Sequence, residues 1–581
     1  MPDVLQACPC EPERTPIHIL KNLLAIAVNR LGYPEIISDL VFVFFLLLAW
    51  RFPLLGDNFF SAIEQFGTRL SQTKHLAVVL LMAAAIVLPV SLLWRFHIPV
   101  PRIHDEFANL LAADTFAHGR LTSPTHPLWI FFDTIHVNQH PTYMSKYPPA
   151  QGAVLALGQL LGHPWIGVLL SAAAMSAAVL WMLQGWMPPR WALLGGILVL
   201  LRVGISSYWI ESYWGGAVPA IGGALVLGAL PRIKKFHRAR DALTLALCAT
   251  LLANSRPVEG LVICAPALLV LLWWLCGKRS PPLRVTLPRL VVPFSACMLL
   301  CGVFIGYYNW RLTGHALLFP EVLNERTYAV APDFIWQTAA PKAHYQNAQF
   351  EVFYNGWART YWEKNQITSA ARVAKHAAII VLKFVYFFLW PELCVPLIFL
   401  PWVFRDRRTR YLSIQIGLCA LGWYAIFWFL PHYAAPATAV VFALVVQSLR
   451  HMRRWEFRGR PVGVGLSRVV VLFALVLAPL HQRGGTLQPP SSGAPVILYR
   501  ARFAAQLDAM PGDHLAIVRY GPIFGDDAEW VYNDADIDHS KIVWAREIPG
   551  IDLRPLLDYF HTRDVWLVEP DAHPPRMTKF Q

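Results

Sequence analysis

Apolar stretches recur along this chain at 36–52, 76–96, 164–184, 191–210, 216–231, 242–254, 259–276, 289–310, 376–402, 411–430, 433–450 and 468–481. A helix that crosses a bilayer needs about 20 predominantly apolar residues. Its backbone must also satisfy its own hydrogen bonds in hydrocarbon, which a helix does. Several stretches are short, and 242–254 is the least secure of them. Residues 150–161 form a further apolar segment, cut by Gly162 and Pro164 to about three turns, so it is expected at the interface or as a re-entrant helix. Of the 581 residues 56% are hydrophobic and only 15% charged, against about 25% charged in a soluble domain. The expected fold is an α-helical polytopic membrane protein with about 11–13 transmembrane helices.

The connectors set the orientation. Arg232, Lys234, Lys235, Arg238 and Arg240 fill 231–241; Lys278, Arg279, Arg284 and Arg289 fill 277–289. Arg405, Arg407, Arg408 and Arg410 come next at 403–410, then Arg450, Arg453, Arg454, Arg458, Arg460 and Arg468 at 450–468. These connectors alternate with the others, so all lie on one side, and the positive-inside rule makes that side cytoplasmic. The long segments 97–147 and 311–373 are balanced in charge, rich in aromatic residues, and fall outside. This placement of basic residues accounts for the net charge of +14 without nucleic acid.

Three parts are expected. Residues 1–75 form an N-terminal segment with one membrane helix. Residues 76–484 form the membrane part with its two outer loops. Residues 485–581 form a small extracytoplasmic α/β domain, with strands at 514–520, 541–545 and 565–568 and helices around 498–510 and 551–561. Its acids include Asp526, Asp527, Glu529, Asp534, Asp536 and Asp538. Whether the N-terminus is outside depends on whether 36–52 crosses. No signal-peptide pattern opens the chain, so no cleavage is expected. Most cysteines lie in or beside apolar spans, and the loops and tail hold none, so no disulfide framework is expected. Cys8 and Cys10 are half a metal site at most.

The candidate chemistry lies on the outer side. Asp105 and Glu106 come a few residues after the second span; one carboxylate could deprotonate a hydroxyl while the other holds the acceptor, the base or a cation. A solvated pair is the plainer alternative. Lys146 and Tyr147 precede two prolines and a short apolar helix; Lys146 suits a phosphate at headgroup height, or simply snorkels there. Short outer turns carry Glu211 (in ESYWGG), Arg256 and Glu259 (in NSRPVEG), and His432 and Tyr433 (in PHYAAP). Arg256 could hold a phosphate bidentately, Glu259 could orient it, and His432 could assist or relay a proton. Tyr307–Gly314 and Glu321 open the second large loop, as a carbohydrate-binding or interfacial aromatic set.

With these residues in place, the chain resembles the GT-C superfamily of integral-membrane glycosyltransferases, in the branch of protein O-mannosyltransferases and aminoarabinose transferases. The resemblance covers about 90–480 and rests on the Asp-Glu pair in the first large outer loop, the many spans and the outer domain. It departs in placing that pair after the second apparent span. It implies Asp105 as catalytic base and Glu106 as its partner in substrate binding. Lys146, Tyr147, Glu211, Arg256, Glu259, His432 and Tyr433 are then the phosphate- and substrate-binding candidates. The implied donor is a polyprenyl-phosphate sugar, the acceptor a lipid, glycan or protein, and the place a bacterial inner membrane. No metal ligand set is assigned, and a divalent metal stays open because some superfamily members need one. The alternatives are a transporter or flippase for lipid-linked glycans, which would show mid-span charges and a repeat, and an O-antigen polymerase or ligase.

Overall fold

A computed structural model describes residues 33–94, 97–205, 207–278, 280–481, 494–521 and 529–580. Cys8, Cys10, Arg279, Asp526 and Asp527 lie outside the described residues.

Helices occupy the apolar stretches. Among the described residues seven are long and apolar enough to cross a membrane: Lys74–Ser91, Pro164–Trp186, Ala217–Phe236, Pro257–Leu275, Leu283–Thr313, Ala370–Arg405 and Pro431–Arg453. The chain is a multi-pass membrane protein. Shorter helices, Pro189–Val203, Ala239–Ala253 and Arg410–Ala425, cover three more expected positions. Proline sits in the first turn of Pro149–Leu160, Pro164–Trp186, Pro189–Val203 and Pro257–Leu275, where its missing N–H costs nothing and its fixed φ starts a helix. The stretch expected at 191–210 ends early. The helix stops at Gly204, and Ser207 Oγ donates to Val203 O, a local bond that competes with helix continuation. Residues 207–216 then run as irregular, largely buried backbone.

Pro431–Arg453 is the central helix, and Pro164–Trp186 and Ala217–Phe236 pack closely around it. Glycine permits this approach: a Cβ at Gly223 would lie 1.9 Å from Pro436 O. Leu283–Thr313 lies at the periphery, with Leu299, Leu300 and Val303 exposed as lipid-facing side chains should be. An unforeseen helix, Asp57–Gln72, joins Tyr33–Arg51 to Lys74–Ser91.

The 150–161 segment is a helix of 12 residues, Pro149–Leu160, too short to cross. Ahead of it the first long loop forms the helix His104–Ala117 and a small antiparallel sheet. In that sheet Val137 pairs with Ser145 and Ser123 with Tyr143.

The tail is α/β as expected. The strands His514–Val518, Ile542–Arg546 and Asp564–Glu569 form a parallel core with His514–Val518 in the middle; Arg576–Lys579, not anticipated, adds an antiparallel edge. Helices Ala494–Ala509 and Arg554–Tyr559 match the expected positions. The sheet does not stand alone. Ala108 and Leu111 of the loop helix share a core with Leu515, Ile517 and Val543, and Phe107 stacks on Tyr532 at 4.3 Å. The loop helix is thus clamped between the membrane part and the tail.

Candidate active site

The loop helix begins with His104, Asp105 and Glu106 in its first turn, where its N-terminal dipole favours carboxylates. The two acids face different surroundings. Glu106 is fully buried, and its carboxylate accepts from Arg102 N at 3.0 Å and Tyr213 N at 3.1 Å. Burial raises its pKa to about 7 against those two backbone bonds. Glu106 therefore pins the loop helix to the buried 207–216 segment. Glu211, two residues from Tyr213, is half-buried, and burial pushes its pKa up to about 7, with Arg102 pulling the other way.

Asp105 points elsewhere. It accepts a hydrogen bond from Tyr147 Oη, and its other oxygen lies 3.4 Å from His104 Nε2. The rings of His104 and His136 are 4.5 Å apart. His136 comes from the loop sheet, where its carbonyl accepts from Lys146 N at 3.0 Å. It holds a positive φ of 65°, an uncommon conformation for a residue with a Cβ. His104, Asp105 and His136 offer ligand atoms within 4.8 Å of one another. The Nδ1 atoms of both histidines are buried without a hydrogen-bond partner. Burial, with Lys146 and His104 nearby, holds the His136 imidazole well below its usual pKa, so it is neutral. Two imidazoles and a carboxylate form a donor set that suits a divalent ion such as zinc.

Lys146 is buried and pairs with Glu325 at 2.8 Å. Burial opposes its charge, but Glu325 and Glu321 outweigh burial and raise its pKa. The amide of Ala150 donates to Asn254 O at 2.9 Å, which joins the Tyr147 end of the short helix to the Arg256 turn. Arg256 lies over the Tyr433 ring at 4.5 Å. Burial opposes its charge too, but Tyr433, Glu259, Glu321 and Tyr147 raise its pKa. His432 stacks on Tyr433 and shares a 2.9 Å hydrogen bond with Tyr208 Oη. Beside Tyr433 and Glu259 a narrow crevice runs between the helices Pro257–Leu275 and Arg410–Ala425, lined by Val258, Val262, Cys419 and Trp423.

The candidates thus gather in one neighbourhood. Tyr147 hydrogen-bonds Asp105 and its ring lies 5.5 Å from the Lys146 ammonium; Arg256 lies over Tyr433, which stacks on His432, and feels Tyr147 and Glu321 electrostatically. Glu106 stands behind Asp105 as a support of the loop helix, and Glu211 lies within the electrostatic reach of Arg102. Sequence reasoning set His104 beside Asp105 without giving it a role, and it missed His136, Glu325, Asp333 and Tyr208. Asp333 belongs to the same acidic group; burial and Glu325 raise its pKa to about 7, against Lys146. No sequence signal marked these residues, because each meets its partner across a long chain separation or a turn whose register only the fold decides.

No protein-family model and no curated protein matches the chain. Solved structures do. The chain is similar to the Archaeoglobus fulgidus oligosaccharyltransferase AglB in complex with an inhibitory peptide and a dolichol-phosphate, at 11% identity over 78% of this chain and 62% of that one, TM-score 0.42. It is similar to ArnT from Cupriavidus metallidurans bound to undecaprenyl phosphate, at 13% identity over 85% and 92%, TM-score 0.42. It is also similar to the mycobacterial arabinofuranosyltransferase AftD, at 16% identity over 81% and 36%, TM-score 0.36. The chain spans less than two thirds of the archaeal protein's length. Residue roles rest on this chain's own geometry.

Proposed function

We propose that this chain is a membrane glycosyltransferase that moves a sugar from a polyprenyl-phosphate donor to an acceptor on the extracytoplasmic face. The observation that carries this is Tyr147, which hydrogen-bonds the carboxylate of Asp105 while the buried Lys146 ammonium lies 5.5 Å from its ring and the half-buried Arg256 feels it electrostatically, at helix ends opposite the arginine-rich connectors. Glycosyl transfer needs these groups: a base for the incoming hydroxyl and positive charge for the departing phosphate. On this reading 76–484 carries the site, and the tail holds its loop helix.

Asp105 takes the acceptor hydroxyl proton, and that oxygen attacks the anomeric carbon. The bond from that carbon to the phosphate oxygen breaks on the opposite face, and polyprenyl phosphate leaves with the electron pair. Tyr147 orients Asp105 through its hydrogen bond. Arg256, held over the Tyr433 ring, offers a fork to the phosphate. Lys146 can add its charge once phosphate displaces Glu325 from it. A divalent ion held by His104, Asp105 and His136 would supply a Lewis acid that acidifies an acceptor hydroxyl.

The test is release of polyprenyl phosphate from a polyprenyl-phosphate sugar by the purified protein with acceptor membranes. Asp105→Asn should stop release while leaving the thermal midpoint unchanged. Near-normal release by that variant removes the base from the proposal.

A further inference from the structure

The helix Asp57–Gln72 presents three different faces. One carries Phe59, Ile63, Phe66 and Leu70, at the i, i+4, i+7, i+11 spacing of a single stripe. Phe59, Ile63 and Phe66 are 63%, 52% and 69% exposed. A second face is tied to the protein. Asp57 and Glu64 pair with Arg468 at 2.7 and 3.1 Å, Glu64 also with Arg453 at 2.6 Å, and Ser71 is buried. The third carries Asn58, Gln65, Arg69 and Gln72, all exposed.

The ends of this helix fix its level. The preceding helix Tyr33–Arg51 finishes against the start of Val462–His481, where a Cβ at Gly465 would touch Pro53 and Ala49 O. The next helix, Lys74–Ser91, begins two residues after Gln72. Both ends therefore sit at the basic-connector surface, beside Arg453. A rod of 16 residues, about 24 Å long, can join them only by lying along that surface. The helices on either side of it also expose apolar side chains, such as Leu47 and Val79. Arg51, Arg69 and Lys74, all exposed, border it and complement anionic headgroups.

We infer that Asp57–Gln72 is an interfacial helix whose Phe59–Ile63–Phe66 stripe is seated among the acyl chains of the leaflet on the basic-connector side. Its polar face meets water and its acidic face is held by Arg453 and Arg468. The N-terminal helix Tyr33–Arg51 then enters the bilayer from the opposite side. The assignment of that leaflet as cytoplasmic rests on the proposed function's sidedness; the seating itself does not.

The experiment places a photoreactive p-benzoylphenylalanine at Phe66 and, separately, at Gln65, in full-length protein reconstituted into phosphatidylethanolamine–phosphatidylglycerol vesicles. Adducts are identified by mass spectrometry, and trypsin cleavage in 231–241 marks the basic side. The expected result is a phospholipid adduct at 66, none at 65, and trypsin access to 65–72 from the side that exposes 231–241. A protein adduct at 66, no adduct at 66, equal lipid adducts at both positions, or access from the other side each overturns the inference. Activity is not read, so loss of transfer in other variants leaves this result standing.

Discussion

On the proposed reading Lys146 has two jobs, one in holding the fold and one in holding phosphate, and replacing it with methionine separates them. Its ammonium lies 2.8 Å from Glu325 Oε1, with 9% of the lysine side chain and 28% of the glutamate exposed. At an effective dielectric constant of about 20, charges that close attract by roughly 6 kcal/mol before desolvation is set against them. Removing one partner of a buried pair strands the other and costs about 3–5 kcal/mol. Partial exposure of Glu325 puts Lys146→Met near the lower end, about 3 kcal/mol. Lys146→Met/Glu325→Gln removes both charges and should return to within about 1 kcal/mol of the parent. The assay is unfolding in detergent followed by tryptophan fluorescence, run beside sugar transfer. Stability should recover in the double variant, whereas transfer should stay reduced by one to two orders of magnitude, since about 1.4 kcal/mol of lost phosphate stabilisation is tenfold. A double variant no more stable than Lys146→Met, or one that transfers normally, refutes the reasoning.

Arg256→Lys keeps the charge but loses the planar fork and the stacking on Tyr433; donor KM should rise about tenfold or more, measured by transfer kinetics. Glu211→Gln tests burial of a carboxyl whose pKa rises from 4.5 to about 7. A raised acid pKa means the folded state holds the proton longer, so the parent loses stability as pH climbs from 4.5 to 7 and is level above. The variant should match the parent at about pH 4.5 and exceed it by up to about 3 kcal/mol at about pH 8 in unfolding measurements, an upper figure because water reaches part of the side chain. His136→Ala should lower bound zinc, measured by elemental analysis after dialysis, while His126→Ala, whose ring pairs with Asp538, should not. Tyr208→Phe removes the hydroxyl shared with His432, a loss of about 1 kcal/mol seen as a fall in thermal midpoint.

Hydropathy exposed the helices because lipid solvation dictates composition over whole stretches. The tail strands at 514–518, 542–546 and 564–569 were legible for a similar reason, as apolar runs between turns. The edge strand Arg576–Lys579 was not, because its residues are largely exposed and polar. The helix Asp57–Gln72 escaped because polar residues interrupt its apolar stripe. In the site, Asp105, Lys146, Tyr147, Arg256 and Tyr433 announced themselves by charge or aromaticity at span ends. The separate fate of Glu106 did not, because the Tyr213 amide that captures it comes from a backbone segment whose irregular path hydropathy does not foretell. His104 and His136 meet only because the loop sheet brings strand 137–138 back beside the loop helix.

The central claim is that Asp105 acts from the extracytoplasmic side. It is tested most directly by measuring transfer of labelled sugar from an added polyprenyl-phosphate sugar in sealed right-side-out and inside-out vesicles, with the parent and Asp105→Asn. The predicted result is transfer in right-side-out vesicles that Asp105→Asn abolishes. Transfer confined to inside-out vesicles, or undiminished in Asp105→Asn, would contradict it.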